Sequence, residues 1–188
     1  MKRVAILYAL VSAALFGAST PAAKALVVLV HPAVLAGLLY CGAGLGIAVL
    51  RRVLPALISR APEVALARSE IPWLAGAIAV GGVVGPLCLM AGLARTDAAT
   101  ASLLLTLEAA ATALIAWFLF HENVDRRVAL GMACLIAGAA ILSWSSAPTL
   151  DNLIGPIAIV AACLAWGIDN NLTRKVSLAD PLQIVELK

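Results

Sequence analysis

Long apolar runs separated by short polar connections make up most of the chain. Membrane-spanning helices need about 20 mostly apolar residues, and six runs have this character: 4–29, 33–50, 72–94, 98–120, 128–145 and 153–173. A seventh run begins at Pro181, and the connection 51–71 mixes apolar and basic residues in a way that favours a short interfacial helix. The pattern predicts an all-α, polytopic membrane helix bundle.

The composition fits the bilayer better than water as the solvent. Hydrophobic residues make up 63% of the 188 residues and charged residues 12%, whereas a soluble domain carries about 25% charge. The four isolated cysteines show neither disulfide nor metal spacing, and no nucleophile elbow, phosphate loop or paired-histidine site is present. We therefore expect no enzyme activity, no catalytic residue, no metal and no cofactor. The net charge of +3 does not suggest a nucleic-acid partner.

Basic residues are distributed unevenly between the two sides of the predicted bundle. Because Lys and Arg are enriched in cytoplasmic loops, we place the N-terminus in the cytoplasm. Ten of the 13 basic residues then lie inside: Lys2, Arg3, Arg51, Arg52, Arg60, Arg68, Arg126, Arg127, Arg174 and Lys175. The prediction is a multi-pass protein of the cell membrane, which in a two-membrane cell is the inner one.

Pairs of glycines recur within the predicted spans. Small residues let helix backbones approach closely in lipid, so this spacing predicts that the helices pack into a bundle. The pairs are Gly42 with Gly46, Gly81 with Gly85, and Gly131 with Gly138.

Two distant stretches of the chain match each other. Phe16-Gly17 aligns with Trp166-Gly167, Lys24 with Arg174 and, after a one-residue slip, His31-Pro32 with Asp180-Pro181. The period of about 150 residues covers five spans, so the second copy enters the membrane from the opposite side. This predicts an inverted five-helix repeat, with a first unit over 1–146 and the start of a second over 147–188. We interpret the chain as truncated within that second unit.

Three stretches carry a family resemblance: ALFGASTPAAKAL, CLAWGIDNNLTRKVSLADP and TDAATASLLLTLEAAATALIAWFLFHENVDRRVALGMACLIAGAAIL. They resemble the EamA-type ten-helix permeases of the drug/metabolite transporter superfamily. The third stretch is the most specific, because its fourth helix ends at Glu122 and a polar turn and a Gly-rich helix follow. It departs from many members by having LEAAAT where they carry a proline. The resemblance implies two five-helix repeats, cytoplasmic termini and transport of small metabolites without enzymatic chemistry.

Acidic side chains inside predicted spans are the first candidates for a site. Glu108 lies near the middle of the fourth span, where a charge costs on the order of 2.5–3.5 kcal/mol by insertion scales. It either contacts a substrate amine or couples transport to protons, or it is a protonated acid bonded to a neighbouring helix. Asp169 and Asn170 lie in the sixth span, where adjacent polar side chains compete for backbone hydrogen bonds and favour a broken helix. The alternative for them is a polar turn at the interface.

Three further residues are candidates for the substrate path. Lys24 either binds an anionic group or extends to the outer headgroups. Ser19 either lines the same cavity or bonds back to its own helix. Trp166 either stacks on substrate or belongs to an aromatic belt.

A charged turn, HENVDRR, joins the fourth and fifth spans. Arg126 and Arg127 place this turn on the cytoplasmic side, and Asn123 or Asp125 is expected to cap the fifth helix. Glu122 either pairs with Arg126 or, as the resemblance suggests, lies near an inner gate.

The leading hypothesis is a secondary transporter of small metabolites or drugs that works by alternating access and is driven by protons or by the substrate gradient. Its partners are the lipid bilayer and the small-molecule substrate, and a homo-oligomer is left open. The alternatives are a non-functional truncation product and a purely structural membrane protein.

Overall fold

Helices account for nearly all of the computed structural model, which describes residues 2–53, 66–143, 150–176 and 184. The described residues contain no strand, so the all-α prediction is confirmed. The helices are α1 (Lys2–Val27), α2 (Pro32–Val53), α3 (Ile71–Ala77), a π-helical segment (Ile78–Val84), α4 (Gly85–Arg95), α5 (Ala98–Leu105), α6 (Leu107–Phe120), α7 (Arg126–Ser143) and α8 (Leu150–Arg174).

Five stretches of the described residues are long and apolar enough to cross a membrane: Ile6–Val27, Pro32–Leu50, Ile71–Arg95, Ala98–Phe120 and Leu153–Arg174. We refer to Ile71–Arg95 as the third span and to Ala98–Phe120 as the fourth span. The predicted polytopic membrane bundle is confirmed. The remaining predicted span, 128–145, lies within α7 as far as Ser143, and its last two residues lie outside the described residues. Most of the expected interfacial helix in 51–71, and the run from Pro181 apart from Ile184, lie outside the described residues.

Local sequence explains where several helices begin and end. Pro32 is the first residue of α2, a position that needs no backbone N–H. Asp97 caps α5 by accepting a hydrogen bond of 2.9 Å from the Thr100 backbone N–H. The side chain and backbone of Thr100 together hold the pKa of Asp97 below its ordinary value. The fourth span ends at Phe120, and the next residue, His121, caps it in the left-handed conformation with φ of 52°.

α8 lies at the centre of the bundle. It packs against α3, the π-helical segment, α4, α5 and α6, and its residues Ile159 and Cys163 are almost completely buried. They form one apolar core with residues of α4 and α5, such as Leu93 and Leu104. α1 and α2 contribute a narrow stripe to this core, and most of their side chains are exposed.

The described helices pack into a bundle, as the closely spaced small residues predict, and the glycines of the third span lie at one of its contacts. A Cβ atom added at Gly81 would overlap the Asp169 carboxylate, and one added at Gly85 would lie 2.7 Å from the Trp166 indole nitrogen. The other two pairs have no described atom within 4 Å of the added Cβ. The glycines of those pairs are at least partly exposed on α2 and α7.

Candidate functional site

A groove of about 560 Å³ runs between the fourth span and α8. We name it the α6–α8 groove. Its apolar wall consists of Leu105 and three alanines, Ala109, Ala113 and Ala116. Its polar side chains are Thr106, Glu108, Thr112, Asn170, Asn171 and Arg174. All of these residues belong to the fourth span and α8, so within the described part of the chain the groove has two walls and is open along its third side.

Glu108 is held within this groove by an amide from α8. The Asn170 Nδ2 group donates to Glu108 Oε1 at 3.1 Å and to Thr112 Oγ1 at 3.1 Å. The next residue, Asn171, donates to the Thr112 carbonyl at 3.0 Å and to the Gly167 carbonyl at 2.8 Å. The structure therefore brings the predicted residues Glu108 and Asn170 together in one cluster. The cluster offers a carboxylate with amide and hydroxyl groups beside it.

α8 stays helical through the polar stretch that contains this cluster. The helix runs without interruption from Leu150 to Arg174, so the prediction of a local break at Asp169 and its neighbours is wrong. The reason lies in the side chains. Asn170 finds its partners on the fourth span and Asn171 bonds both there and to its own helix, so neither needs a broken backbone.

An ion pair lies at one end of the groove. Arg174, which ends α8, forms an ion pair with Glu122 on the turn after the fourth span, and its Nη1 group donates to Glu122 Oε2 at 2.6 Å. The interpretation that Glu122 pairs with Arg126 is therefore wrong, because the turn is not helical and Arg174 reaches it from α8. Arg126 and Arg127, the first two residues of α7, are exposed. Lys175, directly after α8, lies 5.2 Å above the ring of Phe120, the last residue of the fourth span.

A second polar cluster lies where α8 meets the third span. Asp169 is buried and accepts a hydrogen bond of 2.9 Å from Thr173. The Trp166 indole N–H donates to the Gly81 carbonyl at 3.0 Å, and the Tyr40 hydroxyl reaches the same oxygen at 3.4 Å. Trp166 is therefore part of the packed interior rather than of an aromatic belt. The adjacent residues Asp169 and Asn170 therefore belong to different clusters: Asp169 to this second cluster and Asn170 to the one around Glu108.

Two predicted residues lie away from the groove. Lys24 donates to the Leu93 carbonyl at 2.5 Å, near the end of α4. Ser19 is exposed and donates to the Phe16 carbonyl of its own helix at 2.6 Å. The structure places neither of them beside Glu108.

Sequence reasoning missed Tyr40, Gly81 and Thr112 as parts of these clusters. A threonine four residues after Glu108 lies on the same helix face, so the spacing could have indicated Thr112. For Tyr40 the sequence offers no such pointer, because its partner is a backbone carbonyl 41 residues away.

Fold and groove together define a polytopic α-helical membrane protein with a polar cluster inside its spans. The chain matches the EamA-like transporter family over residues 3–144. That match covers most of the chain, and the chain belongs to this family.

Relatives among known proteins are similar to parts of the chain. An uncharacterized transporter of Methanothermobacter thermautotrophicus is 26% identical over 173 residues, which are 86% of this chain and 50% of that protein. A probable 4-amino-4-deoxy-L-arabinose-phosphoundecaprenol flippase subunit ArnE of Pseudomonas aeruginosa is 39% identical over 79 residues, 42% of this chain and 66% of that protein. The chain thus spans about half the length of the archaeal relative. No solved structure matches it.

Proposed function

We propose that the chain acts in secondary transport of small metabolites or drugs, with the α6–α8 groove as part of the substrate path. The observation that carries this proposal is Glu108. It lies near the middle of the fourth span and lines an open, partly apolar groove, where an ionisable group is functional by default. Membership of a transporter family supports the same conclusion.

In this proposal Glu108 is the coupling carboxyl. It exchanges a proton or a substrate amine as the groove opens alternately to the two sides of the membrane. The protein is a non-enzymatic component of the cell membrane with its N-terminus in the cytoplasm, as the distribution of Lys and Arg favours. Its partners are the bilayer and a small molecule, and the chemistry of the groove involves no nucleic acid.

A second candidate is flipping of a lipid-linked polar headgroup. The Pseudomonas relative is named as a probable flippase subunit for 4-amino-4-deoxy-L-arabinose-phosphoundecaprenol, an amino sugar linked to a polyprenol phosphate. The groove favours this candidate in one respect. Because it is open along one side and its wall is apolar, a polar headgroup can occupy it while an attached chain stays in lipid.

Transport by the reconstituted protein tests the role of Glu108. Proteoliposomes carrying an internal pH-sensitive dye are supplied with a panel of small amines, amino acids and sugars. We expect substrate-dependent proton movement in the wild type, loss of it in Glu108→Gln, and retention in Glu70→Gln. Glu70 precedes α3 outside the spans, so it is a matched control for the same chemical change.

Two outcomes would contradict the proposal. Glu108→Gln with unchanged flux and unchanged pH dependence would remove the coupling role. A folded wild-type protein that moves none of the compounds, in either direction, would favour the non-functional or structural alternative. A fluorescent lipid-linked amine in the same vesicles separates the second candidate from the first.

A further inference from the structure

The α6–α8 groove carries opposite charges at two separate places. Glu108 lies near the middle of the fourth span, whereas Arg174 is the last residue of α8. Asn170, which holds Glu108, precedes Arg174 by one helical turn, and the groove follows the fourth span from Leu105 to Ala116. The carboxylate and the guanidinium are therefore roughly one to three helical turns apart.

Between these two charges the wall of the groove is mostly apolar. Ala109, Ala113 and Ala116 line it, and Thr112 supplies a hydroxyl close to Glu108. A ligand that fits this arrangement has an ammonium group, an apolar or weakly polar middle and an anionic group. A compound with only one charge leaves one end of the groove without a matching partner.

Arg174 already holds an anionic group in the structure. Its partner Glu122 comes from the turn after the fourth span, and about half of the Arg174 side chain and a third of the Glu122 side chain are exposed. A guanidinium binds carboxylate and phosphate in the same bidentate geometry. Glu122 contacts the Nη1 and Nη2 groups of Arg174, so an anionic ligand group that binds these two nitrogens competes directly with Glu122.

We propose that the α6–α8 groove selects dipolar molecules, with an ammonium group at Glu108 and a carboxylate or phosphate that replaces Glu122 on Arg174. This replacement releases the turn after the fourth span from α8. A ligand needs both charges to hold itself in the groove and to free the turn. The inference rests on the proposed function, because it takes the groove as the substrate path.

Binding to the purified protein in a nonionic detergent tests the charge spacing. Isothermal titration compares 6-aminohexanoate with hexylamine and hexanoate, which keep the chain and lose one charge, and with glycine, which keeps both charges and loses the spacing. We expect 6-aminohexanoate to bind about tenfold more tightly than each of the other three. Equal affinity for 6-aminohexanoate and hexylamine would overturn the proposal.

Variants of the ion pair separate competition from a purely structural role. Glu122→Gln removes the competitor, so the affinity for 6-aminohexanoate should rise several-fold, whereas Arg174→Gln should lower it to that of hexylamine. If the ion pair is purely structural, the two variants lose the same contact, and the affinity for 6-aminohexanoate should change in the same direction in both. Changes of equal sign would therefore reject the competition. Melting temperatures show whether each variant folds. If one does not, the titrations of the wild type with the four ligands still test the proposal.

The dipolar ligand can be a soluble molecule or a lipid headgroup, and one more titration distinguishes these sources. A short-chain phosphatidylethanolamine carries the ammonium and phosphate of a lipid in dispersed form. Selective binding of either compound supports the inference and identifies the source, whereas binding of neither rejects it. Because binding in detergent requires no transport, selective binding without flux would contradict the proposed function alone.

Discussion

α1 and α8 carry matching residues, but their surroundings differ at each matched position. At Gly17 an added Cβ meets no described atom within 4 Å, whereas at Gly167 it would lie 3.0 Å from the Thr112 backbone nitrogen. Phe16 is 59% exposed, whereas its counterpart Trp166 is partly buried and bonded to the third span.

The matched basic residues differ as well. Lys24 donates to a backbone carbonyl of α4, whereas Arg174 pairs with a carboxylate at the end of the groove. α1 lies at the edge of the described bundle and α8 at its centre. Matched residues in α1 and α8 therefore make different contacts, because the helices that surround each of them differ.

The largest expected effect concerns the matched glycines. Gly167→Ala places a methyl group against the backbone of Thr112 and Ala111, which cannot move aside as a flexible side chain can. We expect a loss of about 1–3 kcal/mol in the free energy of unfolding. Gly17→Ala should be neutral or stabilise by up to about 1 kcal/mol, because alanine favours the helix. Denaturant titration in detergent measures the free energy of unfolding of both variants. Equal losses in the two variants would contradict the difference in packing between α1 and α8.

An intermediate effect is expected where α1 is attached to α4. Lys24→Met keeps an unbranched side chain but removes the hydrogen-bond donor to the Leu93 carbonyl. We therefore expect the free energy of unfolding to fall by about 1 kcal/mol. Hydrogen exchange should rise in α1 and stay unchanged in α8. Lys24→Arg retains a donor and is the control. A rise of equal size in both variants would show that the hydrogen bond does not hold α1 in place.

The smallest effect concerns Asp97, which caps α5, a helix on which α1 packs. Its pKa is lowered in the folded protein, so its contribution is present above the unfolded pKa of about 3.9 and is lost as the pH falls through the folded value. We expect the wild type to lose slightly more stability below about pH 4 than Asp97→Asn, which caps without titrating. Melting temperatures between pH 6 and pH 3 measure this difference, and parallel curves would contradict it.

The sequence predicts the helices well and singles out Glu108 as a candidate, because both follow from the cost of placing polar groups in lipid. Apolar runs of about 20 residues have few alternatives in a bilayer, and Glu108 stands out for the same reason. The contact between Glu108 and Asn170 could not be predicted, because it joins two helices 62 residues apart. Gly42 shows the same limit, since its spacing allows close packing but does not reveal whether a neighbour is present.

The π-helical segment Ile78–Val84 connects α3 with α4 inside one continuous span. Such a segment holds one residue more than the α-helical turn it replaces. Because its hydrogen bonds run from residue i to i+5, the segment fits this extra residue into nearly the same rotation. If all seven residues of the segment became α-helical, α3 would rotate by about 100° relative to α4. Leu74 and Ala77, which are buried, would then turn away from their present neighbours. A homologue that lacks one residue here and is α-helical throughout is therefore expected to keep the orientation of α3, and a gap in an alignment at this point reports the loss of the π-helical segment.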